Sequence, residues 1–324
     1  MPGSTICKMS GESPMFMDEL SEKIAEKRSR VCLGLDPTFQ GQGAIPKFLL
    51  DNLNGSHEGA ILEFNSRILD AVHDLVPVVK PQLAFYMALD AMDALKKTIV
   101  KARKLGLLVI LDAKFNDIGN TSDAYATAAF DVLKADAVTV NGYLGTDCVE
   151  SFLKRKDKGI FVLAKTSNKS SGEFQDLFSV PAADIPPATS ATTIPNAILE
   201  RNYIRMAKLV AKWNDQFKTP GEKFGKAGAV VGATYPEQLK QVKALLPNAF
   251  ILIPGYGAQG ATAADVKQGF DAAGTGAIVN SSRALLYAYA LSKKNACAPD
   301  KFEKATRKET EQMRDEINAA LFAK

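Results

Sequence analysis

Four residues at the ends of two short apolar runs could do chemistry together: Lys80, closing VPVVK, and Asp112, Lys114 and Asp117 in LDAKFNDIGNT. In an extended segment side chains alternate, so Asp112 and Lys114 point to one side, and an inward assignment in a parallel barrel brings both beside Lys80. A lone Asp-x-Lys is more often a buried ion pair that only fixes packing. Such a pair is a poor stabiliser, however, because desolvation consumes most of its attraction. Two lysines and two aspartates converging on one spot read instead as a functional cluster. Asp36, ending VCLGLD, adds a carboxylate at another strand end. The direction of Asp117, which lies in a loop, does not follow from spacing.

Three enzymatic chemistries use such a set. A charged lysine in a dry, fixed site stabilises developing negative charge and donates a proton. A Schiff-base aldolase needs its lysine neutral and unpaired, whereas Lys80 and Lys114 are interleaved with aspartates that favour the charged form. A magnesium-dependent sugar-phosphate enzyme would use Asp112 and Asp117 as ligands, with Lys80 making a divalent cation less welcome. A nucleotide-binding barrel without activity is the non-enzymatic alternative.

Anion-binding elements lie further along the chain. IPGYGAQGA offers Gly255, Gly257 and Gly260, which let backbone N–H groups approach a phosphate, and VNSSRALL sets Ser281 and Ser282 before Arg283 at an expected helix start. Each alone is weak, since a Gly-rich turn is usually just a turn and a lone arginine is usually a solvated charge. Together they fall in the loops after the seventh and eighth apolar runs, where barrels commonly hold phosphate.

The runs that must position these residues are VCLGLD, VPVVK, LLVILDAK, AVTVN, GIFVLAK, AGAVVGA, FILIPG and GAIVN. Each is short and β-branched, and helical spacing separates many of them, over 58–75, 87–105, 122–134, 196–217, 236–246 and 262–273. Strand then helix, repeated eight times, predicts an α/β fold, a single (β/α)8 TIM barrel spanning 1–324. A doubly wound open sheet is the alternative, and the absence of GxGxxG after the first strand counts against it. Amphipathic spacing adds an N-terminal helix over 17–27 that closes the barrel bottom and a C-terminal helix over 299–324 on its outside. Residues 1–16 are expected to be disordered. Residues 167–195, rich in Ser, Thr, Ala and Pro, form a long loop after strand five that four prolines keep from being one helix.

Composition narrows the partners. Forty basic residues against thirty-six acidic ones leave +4, too thin a surplus to make nucleic acid the partner. No apolar stretch reaches the 18 or so residues of a membrane span, and no signal peptide is apparent, so a cytoplasmic location is expected. Cys7, Cys32, Cys148 and Cys297 are scattered without CxxC spacing, which argues against disulfides and a zinc site.

DAKFNDIGNT with LGLDP, VKPQLAFY, KTSN, SGEFQDL, PGYGAQGA and VNSSRALL resembles the orotidine 5′-monophosphate decarboxylase family, in the right order from about Val31 to Leu286. The resemblance implies conversion of orotidine 5′-monophosphate to UMP and CO2 with no cofactor and no metal. It implies that Lys80, Asp112, Lys114 and Asp117 are the alternating catalytic array and that Asp36 binds ribose. It further implies a homodimer in which Asp117, Ile118 and Thr121 reach the neighbouring subunit's site. Ser167, with Thr166 beside it, would read the pyrimidine edge. Gln259 would span pyrimidine and phosphate, and Arg283, with Pro254, Gly257 and Ser282 nearby, would hold the phosphate. The chain departs from the family pattern in reading TSNK at 166–169 where TSNP is expected, in carrying Ser282 where many members have Gly, and in the length of 167–195. The chain carries no acidic-pair diphosphate motif of an orotate phosphoribosyltransferase, so a single activity is expected.

Overall fold

The computed structural model describes residues 14–41, 43–185, 195–257 and 260–323. Eight parallel strands close into a barrel: Val31–Leu35, Val78–Pro81, Leu108–Phe115, Ala137–Val140, Gly159–Lys165, Ala227–Val231, Ile251–Pro254 and Ala277–Ser281. They fall on the eight runs read from the sequence, in that order around the barrel. The first strand pairs with both the second and the last, with Gly34 opposite Lys80 and Cys32 opposite Asn280. This closure rules out the open sheet.

Two layers of apolar packing hold the barrel. The larger lies between strands and helices, where strand residues such as Val31, Val79, Val109 and Val279 meet Phe64, Leu69, Leu95 and Ile99. The smaller fills the interior floor with Cys32, Val78, Leu108, Ile110, Phe161, Phe250, Leu252 and Ile278. The helix Phe16–Lys27 plugs this floor with Phe16, Met17, Leu20 and Ile24, spaced to one helix face. Phe16 is buried and meets the Phe161 ring edge-on, so order extends at least to Phe16, one residue into the segment expected to be disordered. Most of that segment lies outside the described residues. At the other end, Phe302–Phe322 lies along the barrel with Phe302, Met313 and Ile317 buried, as their spacing predicts, and Phe302 stacks on Phe64 at 4.7 Å.

The helix boundaries differ from the periodicity in instructive places. The stretch 87–105 is two helices, Leu83–Ala88 and Met92–Lys104, because Asp90 adopts a left-handed φ of 49° between them. The stretch 262–273 is helical only to Val266, with a 3-10 turn to Gly269. Beyond it the Asp271 carboxylate accepts from the Ala273 and Thr275 N–H groups and fixes a turn instead. The stretch 196–217 opens with a 3-10 turn at Asn196–Ile198 and becomes α-helical only at Asn202, because Glu200–Arg201 pairs antiparallel with Phe178–Ser179. The long loop after strand five therefore carries structure of its own: this ribbon, a 3-10 turn at Lys169–Ser171 and a helical turn at Gly172–Gln175. Its residues 186–194 lie outside the described residues.

Candidate active site

Alternation decides which strand residues face the barrel interior. Above the apolar floor, the inward series continue from Val78 to Lys80, from Ile110 to Asp112, from Ala137 to Thr139, from Leu252 to Pro254 and from Ile278 to Asn280. Polar groups thus replace apolar ones at one level, the mouth at the C-terminal ends of the strands. A cavity of about 650 Å³ opens there, and Asp36, Lys80, Asp112, Pro254, Ser282 and Arg283 line it together with Asn280.

Asp112 is the centre of the charged set. Lys80 Nζ donates to its Oδ2 at 2.5 Å, and Lys114 Nζ donates to its Oδ1 at 2.5 Å. The Thr139 hydroxyl also donates to Oδ1, at 2.8 Å, while accepting from the N–H groups of Ala113 and Lys114 at 3.0 Å each. Those two bonds stabilise an irregularity in the third strand, where the register shifts between Leu111 and Phe115 and Lys114 takes a φ of 53°. The bulge swings Lys114 up and back over Asp112. Lys80 and Asp112 are buried, whereas the Lys114 side chain remains 44% exposed at the mouth.

The electrostatics follow from this geometry. Burial alone would push the Asp112 carboxyl up, but the ammonium groups of Lys80 and Lys114 outweigh it and hold the pKa well below the ordinary value of 3.8. Burial would likewise push Lys80 down, and Asp112 with Asp36 lifts it above 10.5 instead. Asp36 goes the other way: burial raises its pKa against the opposing pull of Lys80 and Ser282. Its backbone is fixed by Tyr287, a fully buried residue whose hydroxyl donates to the Asp36 carbonyl and accepts from the Thr38 N–H, each at 3.0 Å. Ser282 crosses closely over the first strand. A Cβ on Gly34 would lie 1.9 Å from the Ser282 hydroxyl, so only glycine fits beneath it.

Lys114, Thr166, Ser167 and Gly257 are not among the residues that line this cavity. Arg283 begins the short helix Arg283–Leu286, is exposed, and also lines an adjoining hollow of about 510 Å³ with Gly257 and Lys293. Gly255 and Gly257 take positive φ, 100° and 71°, in the turn after the seventh strand. Gln259 lies outside the described residues. Thr166 is pinned to the loop: its N–H donates to Gln175 Oε1, and its hydroxyl donates to Asn168 while accepting from Gln175. Ser167 is beside it, over Gly232 of the sixth strand's loop.

Asp117 is not brought to the cluster. Its carboxylate accepts only from the neighbouring Ile118 N–H, at 2.8 Å, among the described residues. Ile118 is 51% exposed, and Thr121 is exposed beside it. Within one chain, Lys114 therefore has one carboxylate partner and an open side. Thr139, Asn280 and Tyr287 are the site residues that sequence reasoning missed. Alternation within AVTVN and GAIVN was the available signal for the first two.

Among the described residues no group of three or more His, Cys, Asp or Glu side chains is placed to hold a metal ion. Cys32, Cys148 and Cys297 are free thiols, and burial pushes Cys32 up to about 12. No helix among the described residues is long and apolar enough to cross a membrane.

Residues 29–296 match the model of the orotidine 5′-phosphate decarboxylase / HUMPS family. An orotidine 5′-phosphate decarboxylase of Rhodopirellula baltica is 37% identical over 319 residues, covering 93% of this chain and 98% of that protein. One from an Azoarcus species is 39% identical over 308 residues, covering 94% and 98%. Among solved structures, the OMP decarboxylase of Leishmania donovani superposes with a TM-score of 0.72 at 31% identity, covering 95% of this chain and all of that one.

Proposed function

The chain belongs to the orotidine 5′-phosphate decarboxylase / HUMPS family, and from that premise we propose that it converts orotidine 5′-monophosphate to UMP and CO2 in pyrimidine biosynthesis. The observation that carries this reading is the double engagement of Asp112 by Lys80 and Lys114 at the floor of the cavity. Both carboxylate oxygens already face ammonium groups, so a divalent cation would have to displace one of them. Both amines are engaged by Asp112, whereas a Schiff base requires an unpaired one. Fixed positive charge beside a carboxylate is instead suited to a reaction in which negative charge appears on carbon.

In the proposed step the bond between C6 and the carboxylate breaks and its electron pair stays on C6. Lys114, the exposed member of the set, lies beside that carbon, stabilises the developing charge and gives up a proton to it. The resulting neutral amine regains its proton from solvent. Because the ammonium is held before the reaction begins, little reorganisation accompanies the charge development. Asp112, itself held by Lys80, keeps Lys114 aimed. No cofactor enters the step. Arg283 with Pro254, Gly257, Gln259 and Ser282 takes the phosphate, Asp36 the ribose, and Ser167 beside Thr166 the pyrimidine edge. Binding energy from the phosphate end serves to seat the reacting end against Lys114.

The same reading makes the enzyme a homodimer. Lys114 has an open side, Asp117 has no partner in its own cluster, and the exposed Ile118, Tyr143, Leu144 and Phe174 all follow the C-terminal ends of the third to fifth strands, with Tyr143 and Phe174 in edge-on contact. Asp117 of the partner subunit, with Ile118 and Thr121, would complete the array. Among the described residues Cys32, Cys148 and Cys297 are free thiols, which suits a reducing compartment. The direct test is incubation with orotidine 5′-monophosphate in EDTA, following loss of its ultraviolet absorbance and formation of UMP. Absence of turnover by the folded dimer would reject the reading.

A further inference from the structure

Asn280 stands out among the inward residues of the last strand. Ile278, one step below it, belongs to the apolar floor, and alternation carries Asn280 into the same interior opposite Cys32 and Pro254. It is only 6% exposed. Its Nδ2 donates to the Ser282 hydroxyl at 3.4 Å, and its Oδ1 is buried with no donor among the described residues. The same is true of Asp36 Oδ1, at the end of the neighbouring first strand. Both residues line the one cavity.

A buried acceptor without a donor is costly, and a leucine at position 280 would fill similar space without that cost. Two such acceptors on adjoining strands therefore point to something that supplies hydrogen. The neighbouring groups narrow its chemistry. Around the barrel the order runs from Asp112 and Lys80 on the third and second strands, through Asp36 after the first, to Asn280 on the last and Arg283 beyond it, so the donors belong to the middle of a molecule whose ends meet the outer groups. Hydroxyl groups on a sugar meet this demand. We propose that Asn280 is a second acceptor for the sugar of the bound nucleotide, its Oδ1 taking a hydroxyl hydrogen beside the one taken by Asp36. This rests on reading the cavity as a nucleotide site, and it makes Asn280 a residue that selects ribose over deoxyribose.

The test measures binding of UMP and its 2′-deoxy and 3′-deoxy forms to the wild-type dimer, Asn280→Leu and Asn280→Ala. The expected result is a loss of about tenfold in UMP affinity in both variants, as for one hydrogen bond. One of the two deoxy forms should bind variant and wild type within about twofold, because the bond it lacks is the bond the variant lacks. If both deoxy forms weaken as much as UMP does, the assignment is overturned. Should Asn280→Leu not fold, as judged by circular dichroism, Asn280→Ala carries the same comparison. Asp36→Ala serves as the reference, and it should level the preference for the other hydroxyl. A wild-type protein that neither turns over orotidine 5′-monophosphate nor binds UMP would defeat the functional reading itself. Turnover with an unchanged deoxy preference in the variants would defeat only the role of Asn280.

Discussion

Lys80 and Lys165 end two strands of one barrel, both are buried, and both are paired with an aspartate, yet they face opposite sides of the wall. Lys80 follows regular alternation from Val78 into the interior and meets Asp112 in the cavity. Alternation from Phe161 and Leu163 would send Lys165 inward as well. A register irregularity between Leu163 and Lys165 instead pairs Lys165 with Val231, whose side chain packs on the helix side. There its ammonium donates to Ser171 and to Asp176 Oδ2 at 3.0 and 2.8 Å and lies 4.5 Å above the Tyr235 ring. One strand-end lysine faces a cavity and the other ties down the loop that carries Thr166 and Ser167. Residue type is equal in the two; one bulge separates a lysine that faces the cavity from one that anchors a loop.

The comparison breaks or sharpens on mutation. The largest effect belongs to the inward set. Lys114→Ala should lower kcat by more than about 10⁴-fold, the combined loss of a proton donor and of fixed charge. UMP affinity should stay within a few fold, because the product has no developing charge. A loss within tenfold of wild type would remove Lys114 from its role.

Next in size is recovery across subunits. Lys114→Ala and Asp117→Ala chains, each nearly inactive, should regain roughly a quarter of wild-type activity when refolded together. About half of random dimers are mixed, and each mixed dimer holds one site with neither defect. Were Asp117 to serve its own chain, every mixed site would keep a defect and no activity would return.

The paired lysines themselves come third. Lys80→Met should reduce kcat/KM by about 10²-fold with a modest change in melting temperature, since Asp112 keeps Lys114. Lys165→Met should do the reverse, costing about 3 kcal/mol of stability by stranding Asp176, while activity of the folded protein falls less than tenfold. If both variants lost activity alike, the two sides of the wall would not be functionally distinct.

The smallest effect is in pH. Asp112 is held low and Lys80 high, so their pair should contribute fully to stability between the ordinary values of 3.8 and 10.5. That contribution is lost only as acid protonates Asp112 below 3.8 or base deprotonates Lys80 above 10.5. Asp36, raised by burial, should gain its proton above pH 3.8 and stop accepting from the sugar. KM should therefore rise a few fold as pH falls toward that raised value. Asp36→Asn should flatten this limb at a higher KM, and a limb that survives the substitution would assign it elsewhere.

These contrasts also mark what was legible in the chain. The eight strands were readable because short, nearly unbroken β-branched runs leave little choice of structure. The pairing of Asp112 with Lys114 was readable as a shared side, but the bulge that bends Lys114 over its partner depends on Thr139, which looks like an ordinary β-branched strand residue. Lys165 could not be told from Lys80, because a register slip is decided by pairing across strands and leaves no mark in either run. Helix ends were blurred where single residues intervened, Asp90 by its left-handed backbone and Asp271 by its turn-forming carboxylate. Asp117 stayed unplaced in the sequence and is apart from the cluster in the single chain.

The barrel seam has a consequence for how the protein comes into being. Its first strand, near the start of the chain, pairs with its last, 248 residues later at Val31 and Cys32 opposite Val279 and Asn280. Asp36 and Gly34 stand on one side of that seam, and Asn280, Ser282 and Arg283 on the other. During synthesis, Lys80, Asp112 and Lys114 emerge early and can assemble on neighbouring strands while the half of the cavity beside Asp36 has no second wall. A growing chain thus holds its reactive charges before it can hold a ligand. Completion of the final strand closes the cavity, so a chain stopped short of residue 277 carries Lys80, Asp112 and Lys114 without the wall that Asn280, Ser282 and Arg283 supply.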